Sequence, residues 1–454
     1  MEETLLTVGS FILALAILIT VHEFGHFWVA RKLGVRVLRF SVGFGRPLLR
    51  WVSPRDHTEY VVAAIPLGGY VKMLDEREGE VPAQELHLAF NRQNLWKRFA
   101  IVSAGPVFNL LFAIAVYWGI LVTGDTGTRP VVGAVEPGSL AAEAHFAPGD
   151  EILAVGNRKT PTWESAVFSL MADALDGQDT IVRVREKGGA ETVRVLDEAS
   201  LAKLPENPAI LDELGLKPAR PVLPPVIGEL VPGEPAEQAG LKPGDRVVSV
   251  NGTRVERWRQ WVEIVQKNPG KTLRLEIRRG VQDLEIALVP HPVSGPQGEI
   301  GRIGAGPQVP KGLLDQYKVT VRLGPLEAIG ASFEKTADMS TLMLRVMGRM
   351  LIGKASVENL SGPISIAETA GKTASYGLQY FIKFLAVVSI SLGILNLMPI
   401  PILDGGHLLY FAIEGITGRP LSEQAQLQGQ RIGLALLAAL MTLAFYVDIS
   451  RLLG

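Results

Sequence analysis

Residues 5–30 read LLTVGSFILALAILITVHEFGHFWVA, an apolar run with two imidazoles and a carboxylate near its end. A helix needs about 20 apolar residues to cross the hydrocarbon of a bilayer, and this run carries no charge until Glu23. Within it, His22-Glu23-Phe24-Gly25-His26 has the form HExxH. On a helix the two histidines fall at i and i+4 and share a face, so both imidazoles can reach one zinc ion. Glu23, beside the first of them, can take a proton from a metal-bound water. The same five residues in a soluble helix could arise by chance. In a segment that enters lipid, three ionisable side chains are costly and mark function. The rival reading is a polar interhelical network without metal.

Working outward, three more stretches read as spans. Residues 99–124 are uncharged over 26 positions, residues 384–403 over 20, and residues 432–447 over 16. The last is short for a span and would suit a buried helix, but its place after three others favours a fourth crossing. The chain is 47% apolar and only 20% charged, with mean hydropathy +0.23. A net charge of −1 makes no case for nucleic-acid binding. With no cysteine, any metal must be held by His, Asp or Glu, and a thiolate nucleophile is excluded. The first span opens Met-Glu-Glu without a basic leader region, so it reads as retained in the mature protein. Arg31, Lys32, Arg36, Arg39, Arg46 and Arg50 follow it, which puts that loop in the cytoplasm and both termini outside.

The expected fold is a polytopic α-helical membrane protein with four transmembrane helices. A cytoplasmic, membrane-associated β element and two tandem α+β domains outside complete it. The predicted segments are helix one at 1–30, the β-rich loop at 31–97, helix two at 98–124 and outer domains at 127–217 and 222–310. Amphipathic or linking helices follow at 311–376, then helix three at 377–407 and helix four at 428–447. The loop reads as short strands punctuated by Gly43, Gly45, Pro47, Gly68 and Gly69. Its apolar stretch 60–70 either dips into the membrane or packs on the helices. The outer domains are a repeat of period 95. Gly133, Pro137, Gly138, Pro148-Gly149-Asp150, Trp163 and Val167 recur as Gly228, Pro232, Gly233, Pro243-Gly244-Asp245, Trp258 and Val262. Asp150 and Asp245 suit turns in which a carboxylate bonds nearby backbone. Residues 218–225 read as a stiff proline-rich linker, and 312–376 as helix on the membrane surface or plain linking helix.

Two histidines leave a catalytic metal one protein ligand short. Asp404 is the favoured third, in Asn396-Leu397-Met398-Pro399-Ile400-Pro401-Ile402-Leu403-Asp404-Gly405-Gly406-His407. The prolines break the helix there, and irregular backbone at membrane depth requires protein or a wet cavity around it. Spans one and three run the same way, so their inner ends meet at similar depth. His407, three residues on, is the alternative ligand. His57, His87, His145 and His291 read as ordinary loop or surface residues. Asn396 either handles substrate backbone or bonds a neighbouring helix, and Asn109 reads as structural. A substrate helix must unwind to be cut, and residues 68–73 could offer it a strand edge.

Taken together, His22-Glu23-Phe24-Gly25-His26, Gly105-Pro106 with Asn109, the doubled outer domain and Asn396 through Asp404-Gly405-Gly406 closely resemble the site-2 protease family of intramembrane metalloproteases. The resemblance covers nearly the whole chain. It implies one zinc ion held by His22, His26 and Asp404, with Glu23 as catalytic base. It also implies a substrate role for Asn396, a membrane-reentrant β element near Gly68-Gly69-Tyr70, and tandem PDZ domains in the repeat. Such enzymes sit in the bacterial inner membrane and cut single-span substrates, such as an anti-sigma factor already trimmed by another protease or remnant signal peptides. Their PDZ domains are taken to filter substrates by size or to bind new C-termini. The remaining alternatives are a PDZ-bearing scaffold without activity and a transporter using the polar cluster as an ion path.

Overall fold

A computed structural model describes residues 2–176, 179–201, 209–295, 298–353 and 362–453. The chain divides into two compact units. One is built from its two ends, Met1–Asp125 and Val321–Gly454, and the other from the intervening Thr126–Leu204 and Pro208–Thr320.

The first unit is helical. Its helices are α1 (Glu2–Lys32), α2 (Leu95–Thr123), α3 (Pro325–Leu351), α4 (Pro363–Tyr376), α5 (Leu378–Leu397), α6 (Asp404–Thr417) and α7 (Glu423–Leu453). Among the described residues, α1, α2, α5 and α7 are long and apolar enough to cross a membrane. α2 is the centre of the packing: α1, α5, α3 and α6 all lie against it. Ala14 and Leu18 of α1 meet Ala370 of α4 and Phe381, Phe384 and Leu385 of α5 in one apolar cluster. Ala113 and Tyr117 of α2 meet Ala386, Ile390 and Ile394 of α5 in another. Asn94 caps α2 by accepting the Lys97 N–H at 2.9 Å, satisfying a donor that the helix leaves unpaired.

Two expected boundaries move. The sequence places the end of the third span at residue 407, but α5 stops at Leu397 and Asp404 opens a separate helix. Pro399 and Pro401 have no N–H to continue the helix. For residues 312–376 the sequence suggests amphipathic or linking helix. Lys318–Val321 is instead a strand, and α3 starts at Pro325 after Gly324. The alternation Lys-Val-Thr-Val suits a strand, and proline favours the first helical turn.

The loop after α1 holds two strands far longer than expected, β1 (Val37–Val52) and β2 (Glu59–Met73). Bulges around Gly43, Gly45 and Pro47 bend β1 rather than end it. Each strand therefore contributes twice. Phe40 and Ser41 face Val71 and Tyr70 on one side and Tyr60 and Val61 on the other, the latter rising together in number as in a parallel pair. Val62 to Glu59 in turn face Leu49 to Val52. Four short lanes result, with Gly69–Met73 along one outer edge. The sheet packs on α1 through Phe27, Phe40 and Tyr60, while Ile65, farther along the apolar stretch 60–70, is exposed.

The second unit contains two copies of one α+β arrangement. The first has an antiparallel sheet ordered Arg158–Lys159, Glu151–Val155, Thr180–Arg185, Glu191–Leu196, with helix Trp163–Asp176 on it. The second is ordered Thr253–Arg254, Arg246–Val250, Leu273–Arg279, Gln282–Leu288, with helix Trp258–Gln266. Each has its own apolar core, around Leu170 and Val182 in one and Trp261 and Leu275 in the other. The proline-rich stretch 218–225 is not a free spacer: the Ala219 N–H donates to Val131 O, and Leu223 O accepts from the Trp258 N–H.

Asp150 and Asp245 serve their turns as the sequence suggests, accepting from the N–H groups of Ala147 at 3.1 Å and Lys242 at 2.8 Å. Each is also held by an arginine, Arg194 for Asp150 and Arg279 for Asp245. Burial pushes the Asp245 carboxyl up, but the Arg279 guanidinium and the Lys242 N–H outweigh it and hold it below its ordinary range. A carboxyl depressed on folding stabilises the fold above its unfolded pKa, and that stability is lost as pH falls through the folded value. Asp245→Asn is expected to weaken the second copy by about 2 kcal/mol near neutral pH, discounted because Arg279 is partly exposed. The loss should shrink as pH falls below the ordinary carboxylate range. Amide exchange of Leu273–Arg279 at two pH values checks both statements.

Candidate metal centre

α1 brings His22 and His26 to one face, and α6 brings Asp404 in its first turn, where a carboxylate suits the positive end of the helix. The three donors converge. His22 Nε2 and His26 Nε2 lie 3.1 and 3.4 Å from Asp404 Oδ2, and 3.3 Å from each other. Both histidines are more than nine-tenths buried. Asp404 Oδ2 is buried and, among the described residues, faces no polar partner besides the two imidazoles. Three side chains that each offer one ligand atom, all within reach of one another, are what a cation site requires. Zinc ligands at about 2.0–2.1 Å in a tetrahedron sit about 3.3 Å apart, which matches all three separations.

The surroundings prepare these donors. His26 Nδ1–H donates to Ile101 O at 2.9 Å, so its Nε2 carries the free lone pair. The Asn109 amide lies 3.1 Å from His22 Nδ1. Oxygen and nitrogen of an amide are exchangeable in shape. With Oδ1 toward the ring, Asn109 accepts Nδ1–H and leaves His22 Nε2 free to ligate. Ser389 of α5 donates to Asn109 O at 2.8 Å. Between these residues, a Cβ on Gly105 would fall 2.3 Å from His26 Nε2 and 2.8 Å from His22 Cε1. Ile101, Gly105 and Asn109 thus form one stripe of α2 at helical spacing, turned to the two imidazoles. Asn109 was read as structural, and its contact with His22 was missed. Its spacing of four from Gly105, in an otherwise apolar span, was the available signal.

Asp404 is carried by a folded-back segment. Ile402 has φ 116, a strained value for a β-branched residue. Arg98 of α2 holds the far end of α6 through Glu414, at 2.5 and 3.2 Å, with its guanidinium 5.0 Å from the Phe411 ring centre. His407 is outside the cluster and meets Tyr410 edge-on. His57, His87, His145 and His291 are outside it too. Glu23 faces the edge lane of the sheet: its carboxyl meets the Val71 backbone, and Gly69 approaches so closely that a Cβ there would be 3.2 Å from Glu23 Cγ. Tyr70 stacks on Phe44 and accepts from Arg39 at 2.9 Å, while a Cβ on Gly68 would strike the Phe44 ring. Asn396, in the last turn of α5, is half-buried, and no hydrogen bond of its amide occurs among the described residues.

Residues 10–440 match the family model for peptidase family M50. The chain belongs to peptidase family M50. It is 46% identical over 445 residues to the "Regulator of sigma-E protease RseP" of Escherichia coli K12, covering 98% of each chain. It is 43% identical over 454 residues to a "Putative zinc metalloprotease" of Vibrio cholerae, covering all of both. It is 42% identical over 449 residues to the "Putative zinc metalloprotease NMA0084" of Neisseria meningitidis, covering 99% of this chain and 100% of the relative. Family and donor set agree on a metallopeptidase, and an inactive scaffold, which would turn Asp404 away from the histidines, is not what the geometry shows.

Removing the Asn109 contact is expected to weaken metal binding by about 10- to 100-fold, the range for outer-shell partners of ligating histidines. Metal competition on purified Asn109→Ala measures it. Gly105→Ala should abolish metal retention, because the added methyl occupies the space of the imidazoles.

Proposed function

We propose that this chain is an intramembrane zinc endopeptidase that cuts transmembrane segments of single-span proteins, with His22, His26 and Asp404 as zinc ligands and Glu23 as catalytic base. The observation that carries the reading is the convergence of three lone-pair donors from two helices beside Glu23. Zinc held there would supply Lewis acidity to the scissile carbonyl and lower the pKa of a bound water. Glu23 then has the work of a general base: it accepts a proton as water attacks and returns it to the leaving amine.

A peptide bond inside a helix is shielded by its own hydrogen bonds. The open edge at Gly69–Met73 gives an unwound segment a partner for its backbone, beside Glu23. Asn396, whose amide has no bond among the described residues, is a fitting clamp on that segment. Phe44, Leu48, Leu49, Trp51 and Ile65 are all exposed on the hairpin, which suits contact with lipid for a β element entering from the cytoplasmic side. The basic loop after α1 supports termini and the doubled domain on the outer face of a bacterial inner membrane. The two α+β copies are then PDZ-like domains that filter or hold substrates. Kinship with proteins called regulators of sigma-E protease supports an anti-sigma factor as substrate, and remnant signal peptides fit the same chemistry.

Reconstituted with a single-span substrate, the protein is expected to lose cleavage on chelation and regain it with zinc. Glu23→Gln should lose cleavage by at least about a thousandfold while retaining zinc; retained cleavage overturns the role of Glu23. Tyr70→Asp should reduce cleavage of the membrane substrate by about tenfold more than that of a short unfolded peptide. Equal effects on both would remove the strand-edge reading.

A further inference from the structure

Charge in the second unit is placed unevenly. Between Thr126 and Thr320 the chain has 23 Lys and Arg against 26 Asp and Glu. One cleft of about 1010 Å³ reverses that balance, with seven cations on its walls against Glu151, Glu186 and Asp212. Its apolar lining includes Val131, Val132 and Tyr317. Two of those carboxylates are already engaged. Arg129 grips Glu151 through Nε and Nη2 at 3.0 and 2.8 Å, with Arg185 adding a contact at 3.3 Å. Arg194 pairs with Glu186 at 2.9 Å. Lys187, Arg220 and Arg257 are exposed and have no carboxylate partner among the described residues.

The repeat supplies an internal control. Arg257 and Arg259 stand where the first copy, 95 residues earlier, has Thr162 and Glu164. Lys187 lies in a turn of residues 186–190 between paired Arg185 and Glu191. The second copy makes that turn with Gly280 and Val281 alone, between paired Arg279 and Gln282. The shared fold therefore requires neither the longer turn nor these cations.

We propose that this cleft binds an acidic, extended segment of polypeptide, whose carboxylates are taken by Lys187, Arg220 and Arg257. Glu151 already displays the chemistry inside the cleft, a planar carboxylate in the fork of a guanidinium. The three unpaired cations come from a turn, the linker between the copies and the start of a helix. They meet charges spaced along a chain better than one compact phosphate. The proposal is independent of the peptidase reading, since its assay needs no bond cleavage.

The test uses the full-length protein in detergent and a fluorescein-labelled decaglutamate, with decaglutamine as control. Decaglutamate is expected to bind, and to weaken by about tenfold or more when salt rises from about 50 to about 300 mM. The triple substitution K187E/R220E/R257E should weaken it at least as much, and K187Q/R220Q/R257Q in the same direction. Unchanged metal content and thermal unfolding show that these variants fold. Decaglutamate that fails to bind, binds no better than decaglutamine, or binds the triple variants equally well overturns the proposal. So does binding confined to vesicles of anionic phospholipid, which would assign the cleft to lipid phosphate.

Discussion

Two imidazoles and a carboxylate buried among apolar helices are costly unless they share a proton or a cation. Asp404 Oδ2 faces His22 and His26 at the spacing of ligands around one ion, so the three side chains can share a single cation. Much of the helical unit follows from that requirement. α1 must hold its histidines at one height, α6 must begin at that same height, and something rigid must keep the two helices from drifting apart.

The rigid part is α2. Its stripe Ile101, Gly105 and Asn109 orients one imidazole through a carbonyl, the other through an amide, and leaves space for both. The same helix grips the last turn of α6 through Arg98 and Glu414, and α5 through Ser389. A helix without a metal ligand thus sets the geometry of the ligands. The sheet beside α1 has a different task. Its bent strands turn a loop into four lanes and leave an edge next to Glu23.

The doubled domain shows how a repeat can diverge in charge while keeping its core. In both copies the Pro-Gly-Asp turn is locked by its aspartate and an arginine, but the arginine comes from a different strand in each. Core positions tolerate little change in volume. Surface positions are freer, and Lys187, Arg257 and Arg259 of the cleft stand where one copy departs from the other.

The amino-acid sequence by itself determined the apolar spans, the shared face of His22 and His26, the repeat and the turn role of Asp150 and Asp245. Each is a matter of periodicity or of bonds within a few residues, which spacing alone carries. Only the tertiary structure set Asp404, and not His407 three residues on, against His22 and His26. It also drew Asn109 into the site, split the third span into α5 and α6, and turned short predicted strands into a bent sheet. Those outcomes depend on which helix lies opposite and at what distance. The opening run of residues 5–30 therefore announces a metal site, but α2 and the loop into α6 decide its shape.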